Sequence, residues 1–237
     1  MTFRTIEPAQ RTAAKVAGWL YLIQMATAIF GESFVRGRLI VPGDAVQTAA
    51  NIAESEQLFR LSVVSDLITY ASVIVLVWAL YVVLCPVQKY GALLAAFLRL
   101  VENAVLAGTT LNAFVALRLL GGSAYLRVVG EEELQALARV FLGMYGTGLS
   151  VGFVFTGLGS AVFSFLWLKS RYIPRALAGW GIFSSLVLAS VTLVIMVFPN
   201  VASIGLSYMV PMFFYEVGLG VWLIVKGIRT PTGEGAA

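Results

Sequence analysis

The sequence predicts an all-α fold: a polytopic membrane protein built as a six-transmembrane-helix bundle, with a short amphipathic helix in its first outer loop. Three observations carry that expectation. Apolar residues make up 59% of the 237-residue chain and charged residues only 12%, about half the charged share of an ordinary soluble domain, so hydrocarbon must stand in for the missing polar surface. The apolar residues are blocked into long runs, the pattern of membrane spans. The lysines and tryptophans fall on one side of the membrane when six spans are drawn.

A hydrocarbon core about 30 Å thick takes about 20 helical residues. The runs predict spans at about 16–35, 61–84, 91–117, 140–168, 176–198 and 204–225. Glu32 is expected to break the first span near its end; the second contains Asp66 and the third Arg99 and Glu102. Arg4, Arg11 and Lys15 precede the first run as in a signal peptide, but no small-residue cleavage site follows before Glu32. The run is therefore expected to remain as a span. As one helix, the tract from Ala176 to Val225 would extend roughly 75 Å, more than twice a bilayer. It must fold back, and Phe198-Pro199-Asn200 supplies the break, because proline disfavours helix in the residue before it and asparagine tolerates turn geometry.

The longer connections carry structure of their own. Pro42, Gly43 and Asp44 predict a turn, and Asp44 with Gln47 resembles a capping box that starts a short polar helix through Ser55, lying on the outer surface. Glu131, Glu132 and Glu133 match the positive end of a helix dipole, so the fourth helix is expected to begin there and enter the membrane near Val140. Residues 1–229 are expected to form one transmembrane domain, and 230–237 a disordered tail. The only echo of a duplication is Leu58-Phe59-Arg60-Leu61 with Asp66 beside Phe97-Leu98-Arg99-Leu100 with Glu102.

With the N-terminus inside, all four lysines (Lys15, Lys89, Lys169, Lys226) fall on the inner side. Trp19, Trp78, Trp167, Trp180 and Trp222 each lie near an inner helix end, where an amphipathic ring favours the headgroups. Lys plus Arg total nine inside and six outside, with Arg99 within the membrane. The sequence thus places both termini in the cytoplasm, and the protein in the cell's inner membrane. This distribution also explains the net charge of +4, since the basic residues separate apolar runs and form no patch for nucleic acid.

An ionisable side chain at bilayer depth costs at least about 2.5 to 3.5 kcal/mol, so it normally faces the bundle interior. Arg99 lies 10 residues after Lys89 and Glu216 10 residues before Lys226, each about 15 Å from the inner surface. Opposite charges at one depth on different helices invite pairing. Glu102 shares the Arg99 face, and Asn103 and Gln24 lie at comparable depths. The layer of Gln24, Arg99, Glu102, Asn103 and Glu216 is the candidate site. Two readings stay open: an ion pair that locks the third helix to the sixth, or a proton or cation site in which the second carboxylate is spare. Pro211 either exposes carbonyls near Glu216 or marks a shifted helix start.

Asp66 and Glu32 come out near the outer headgroups, within reach of Arg36, Arg38, Arg60 or Arg118, and read as interface anchors. Gly148, Gly152, Thr156 and Ser160, with Gly157 and Gly159 beside them, form a small-residue stripe suited to close helix packing, or to a flat apolar ligand. One cysteine and no histidine argue against disulfides, metal and haem, so no cofactor is expected. No phosphate loop, dinucleotide fingerprint or nucleophile elbow marks an enzyme, and no catalytic residue is assigned.

The stretches Val35-Arg36-Gly37-Arg38-Leu39-Ile40-Val41-Pro42-Gly43-Asp44-Ala45, Leu58-Phe59-Arg60, Phe97-Leu98-Arg99-Leu100-Val101-Glu102 and Trp222-Leu223-Ile224-Val225-Lys226-Gly227 resemble the bacterial domain-of-unknown-function 4386 family. The resemblance runs from about Ala17 to Gly227. It implies a bacterial integral membrane protein and places Arg36, Asp44, Arg60, Arg99, Glu102 and Glu216 in the family pattern, without a role for any. The expected partners are the lipid bilayer and a small-molecule or lipid ligand, with a homo-oligomer left open. Three functions stay open: binding or translocating a small molecule or ion, a non-catalytic sensor or scaffold, and a lipid-acting membrane enzyme.

Overall fold

The computed structural model describes residues 6–121, 129–198, 200, 205 and 207–229, and all regular structure among them is helical. Helix α1 (Pro8–Ile29) runs through a π-helical stretch (Phe30–Arg36) into α2 (Gly37–Leu39). Then come α3 (Ala45–Glu54), α4 (Glu56–Leu84), α5 (Lys89–Leu120), α6 (Glu131–Ser170), α7 (Arg175–Val197) and α8 (Val210–Val225). Six stretches are long and apolar enough to cross a membrane: Pro8–Leu39, Glu56–Leu84, Lys89–Leu120, Glu131–Ser170, Arg175–Val197 and Ser207–Val225. The protein is a polytopic helical membrane protein.

Each spanning helix packs on the next in sequence, and α8 returns to α1, which closes the ring α1, α4, α5, α6, α7, α8. With no hydrophobic drive between helices in lipid, close packing must hold such a ring, and glycines provide it. At Gly18 a Cβ would sit 2.8 Å from the carbonyl oxygen of Gly220, so α1 and α8 nearly touch backbones. At Gly157 it would sit 2.5 Å from the carbonyl of Ser185 on α7. The predicted small-residue stripe on α6 is packed by α5: Gly148 receives Thr109, Gly152 receives Leu106, and Gly159 receives the stem of Arg99. Protein side chains occupy the face that a flat ligand would have needed.

Several expectations change. Glu32 does not break the first helix, because the chain absorbs it in the π-helical stretch and continues helically to Leu39. Asp44 caps α3, its Oδ1 accepting from the Gln47 N–H at 2.8 Å. The reciprocal half of the capping box is missing, since the Gln47 amide donates to Asn51 instead. As expected, α3 is amphipathic: Thr48, Ala49 and Ile52 are buried, and that face packs on α4, α5 and α6. It covers the end of the bundle opposite the termini.

The fourth spanning helix begins at Glu131 as expected, and α7 ends at Val197 with Phe198 leaving helical geometry. Pro199, Ile204 and the tail 230–237 lie outside the described residues. The last helix starts at Val210 after a 3-10 turn (Ser207–Met209), with Pro211 in its first turn. There a missing N–H leaves no helical bond unmade, so Pro211 marks a shifted start. Its carbonyl accepts from the Trp180 indole at 3.0 Å, and the Met212 sulfur accepts from Ser184 and Ser185 at 3.7 and 3.8 Å. Helix α8 thus begins beside the middle of α7. All four lysines are exposed at the termini end, but Trp167 is fully buried against Tyr172 and is not at a headgroup surface.

Candidate functional site

All five side chains of the sequence-derived layer are buried, each at 7% exposure or less. Arg99 and Glu102 lie on one face of α5 because three residues make nearly one turn, and Arg99 Nη1 is 2.8 Å from Glu102 Oε2. That contact is close but poorly aimed, and neither atom gains a hydrogen bond from it. The Arg99 stem crosses the bare face of Gly159, which lets the guanidinium reach the ring interior. Asn103 Nδ2 donates to the Tyr70 carbonyl on α4 at 3.1 Å. Gln24 Nε2 on α1 donates to Glu216 Oε2 on α8 at 3.3 Å.

One expected contact is absent. Among the described residues Arg99 makes its ion pair with Glu102 and none with Glu216. Helices α5 and α8 stand on different sides of the ring, so Arg99 and Glu216 act on each other only through longer-range charge, with Tyr21 in the same field. The link to α8 runs through Gln24. The direct lock between third and sixth spans is therefore replaced by two half-links, Arg99 to Glu102 and Gln24 to Glu216, that face each other across the centre.

The layer's hydrogen bonding is incomplete. Gln24 Oε1, Arg99 Nη1, Glu102 Oε2 and Asn103 Oδ1 have no hydrogen-bond partner among the described residues, and they are four of the six such buried side-chain atoms. Each costs about 1 to 3 kcal/mol when left unmet. Three are acceptors and the fourth is Arg99 Nη1, so unmet acceptors and an unmet cationic donor stand together in the layer. Gln24 and Asn103 cannot repair this by flipping, because each amide nitrogen already donates to an oxygen.

A second buried cluster sits nearer the α3 end. Arg36, 3% exposed, donates through Nε and Nη2 to Glu32 Oε1 at 3.1 and 2.8 Å. It also donates to Asp66 Oδ1 at 2.6 Å and to Ser62 Oγ at 3.0 Å. The Tyr145 hydroxyl on α6 donates to Glu32 Oε1 at 2.5 Å and faces Asp66 Oδ2 at 3.3 Å, with its ring under the guanidinium at 4.8 Å. Asp66 and Arg36 therefore do more than anchor an interface, since both are removed from water. The i, i+4 spacing of Glu32 and Arg36 was a legible signal. Tyr145 was not, because nothing in the sequence aligns α6 with α1 and α4. The π-helical stretch was not either, yet it brings Gly31 close enough that a Cβ would lie 2.9 Å from Arg36 Nη2. Such stretches often occur at functional sites.

Among the described residues no group of three or more metal-ligating side chains is present. No curated protein and no solved structure compared with the chain matches it. A family model matches residues 16–227, nearly the whole chain, and the chain belongs to that family, described as Domain of unknown function (DUF4386).

Proposed function

We propose that this protein binds or translocates a small cation or protonated small molecule through the central layer, with Glu102 and Glu216 as the proton or cation sites, Arg99 as their counter-ion, and Gln24 and Asn103 as neutral ligands. The observation that carries the reading is the incomplete hydrogen bonding of the buried layer. A purely structural ion pair satisfies its own groups, whereas here the amide oxygens Gln24 Oε1 and Asn103 Oδ1 have no hydrogen-bond partner among the described residues and Glu102 Oε2 has only the poorly aimed ion contact to Arg99. Two carboxylates for one guanidinium also leave one negative charge for a cation to balance.

Thermal unfolding of the purified protein in detergent, titrated with Na+, K+, ammonium and methylammonium, tests this. Stabilisation by at least one of them is the expected result, worth about 2.7 kcal/mol at a hundred times its Kd and lost in Glu216→Gln and Glu102→Gln. The competing reading, a scaffold or sensor with a structural charge layer, is favoured if no cation stabilises the wild type and Glu216→Gln lowers its melting temperature.

Residues 1–229 act as one transmembrane domain in this reading, in the inner membrane of a bacterium with both termini cytoplasmic. The exposed lysines at the termini end support that orientation. Cys85, the sole cysteine, lies between α4 and α5 at the same end, so the native chain carries its own topology probe. A membrane-impermeant maleimide is expected to label Cys85 in inside-out vesicles and not in intact cells, and the reverse pattern inverts the topology.

A further inference from the structure

We propose that the Glu32, Arg36, Asp66 and Tyr145 cluster is a proton relay through which the central carboxylates exchange protons with the α3 side. This deepens the function proposed above, on which it rests, by naming the proton as the ion and giving it a route. The two clusters have the same make-up. In each, one Arg shares a helix with a carboxylate, Glu32 with Arg36 on the first span and Glu102 with Arg99 on α5, and a second carboxylate comes from another helix, Asp66 or Glu216. Each is one negative charge in excess, and a single proton on each makes it neutral, which burial favours.

The relay follows from three placements. Glu32 is the exposed member, its side chain 38% accessible, while Asp66 is 5%. The Tyr145 hydroxyl stands between them, within 2.5 Å of one carboxylate and 3.3 Å of the other. It passes its own proton to Asp66 Oδ2 as it takes one from Glu32 Oε1, so one O–H bond forms for each that breaks. One turn further along α4, the Tyr70 carbonyl holds Asn103 beside Glu102, and on α5 the Thr110 hydroxyl donates to the Leu106 carbonyl. Between Thr110 and Asn103 on α5, Leu106 is buried against Gly152 of α6 and separates the two clusters along that helix. Facing the inner cluster are Tyr21 and Gln24 from α1, Thr156 from α6 and Tyr215 from α8. Towards the termini the interior is an apolar core that includes Trp167, Leu219 and Leu223, and at the α3 end a second apolar cluster of Val35, Phe59, Val63 and Leu142 packs around Tyr145, so the exposed edge of Glu32 is the polar approach.

Infrared spectroscopy of the reconstituted protein tests the proposal. A carboxylic-acid C=O stretch, absent from ionised carboxylates, is expected at neutral pH, to be diminished in Glu216→Gln or Glu102→Gln, and to shift when the sample is moved into D2O. Tyr145→Phe keeps the ring on Arg36 and loses only the hydroxyl with its contacts to Glu32 and Asp66, and Glu32→Gln leaves a neutral Arg36 and Asp66 pair, so both are expected to stay folded with a modest loss in melting temperature. Each is expected to slow the D2O shift by about a hundredfold, the usual cost of losing a positioned proton-transfer group. Unchanged exchange in both overturns the relay and leaves the cation-binding reading intact. Absence of any protonated carboxyl band in the wild type overturns the proton as the ion, again without touching cation stabilisation by the central layer.

Discussion

Replacing Arg36 with leucine is expected to cost about 3 to 5 kcal/mol, the usual penalty for removing one partner of a buried ion pair. The loss is large because Arg36 serves three helices. It holds Glu32 on its own helix, Asp66 and Ser62 on α4, and the Tyr145 ring on α6. Without the guanidinium, Asp66 is buried with only the long contact to Tyr145 at 3.3 Å. Unfolding followed by tryptophan fluorescence in detergent measures the loss. Adding Asp66→Asn to Arg36→Leu is expected to recover a large part of it, since the stranded charge and not the missing contact dominates. A double variant no more stable than Arg36→Leu alone would assign the cost to packing instead.

The second large effect is steric. In Gly157→Ala the new methyl would lie 2.5 Å from the Ser185 carbonyl and 2.8 Å from the Ala189 nitrogen. Both are backbone atoms that no rotamer change can move aside. Helices α6 and α7 must separate, at about 3 kcal/mol, the upper part of the usual range for overpacking. Gly108→Ala is the control. Nothing lies within 4 Å of the position its methyl would take, and alanine is the better helix former by about 0.5 to 1 kcal/mol. It is expected to be neutral or mildly stabilising. If both variants melt alike, the small-residue face of α6 does not set the helix spacing.

Arg36 and Gly157 also illustrate how differently the chain's features are legible. Gly157 announces itself, because a glycine within a run of small residues on an apolar helix has close packing as its main use. Its partner does not, since Ser185 and Ala189 resemble any other α7 residues. Arg36 looked like an interface residue because it follows the apolar run, and no count of helical rise foretold that a π-helical stretch would turn it inward. Arg99, Glu102, Asn103, Gln24 and Glu216 were legible as interior residues because polar groups within apolar runs turn toward the bundle. Their pairing was not, because it depends on which helices are neighbours in the ring. Glu216 consequently meets Gln24 in place of Arg99.

The sequence by itself determined the class of the molecule, its six candidate spans and the start of the fourth spanning helix at Glu131. Hydropathy and rise per residue are local quantities, and lipid leaves the backbone few alternatives to helix. Only the tertiary structure decided the order of helices around the ring, the union of Glu32, Arg36, Asp66 and Tyr145, and the late start of α8 against the middle of α7. Each of these depends on the rotation and offset of one helix against another, and those are set by side-chain fit between residues far apart in the chain.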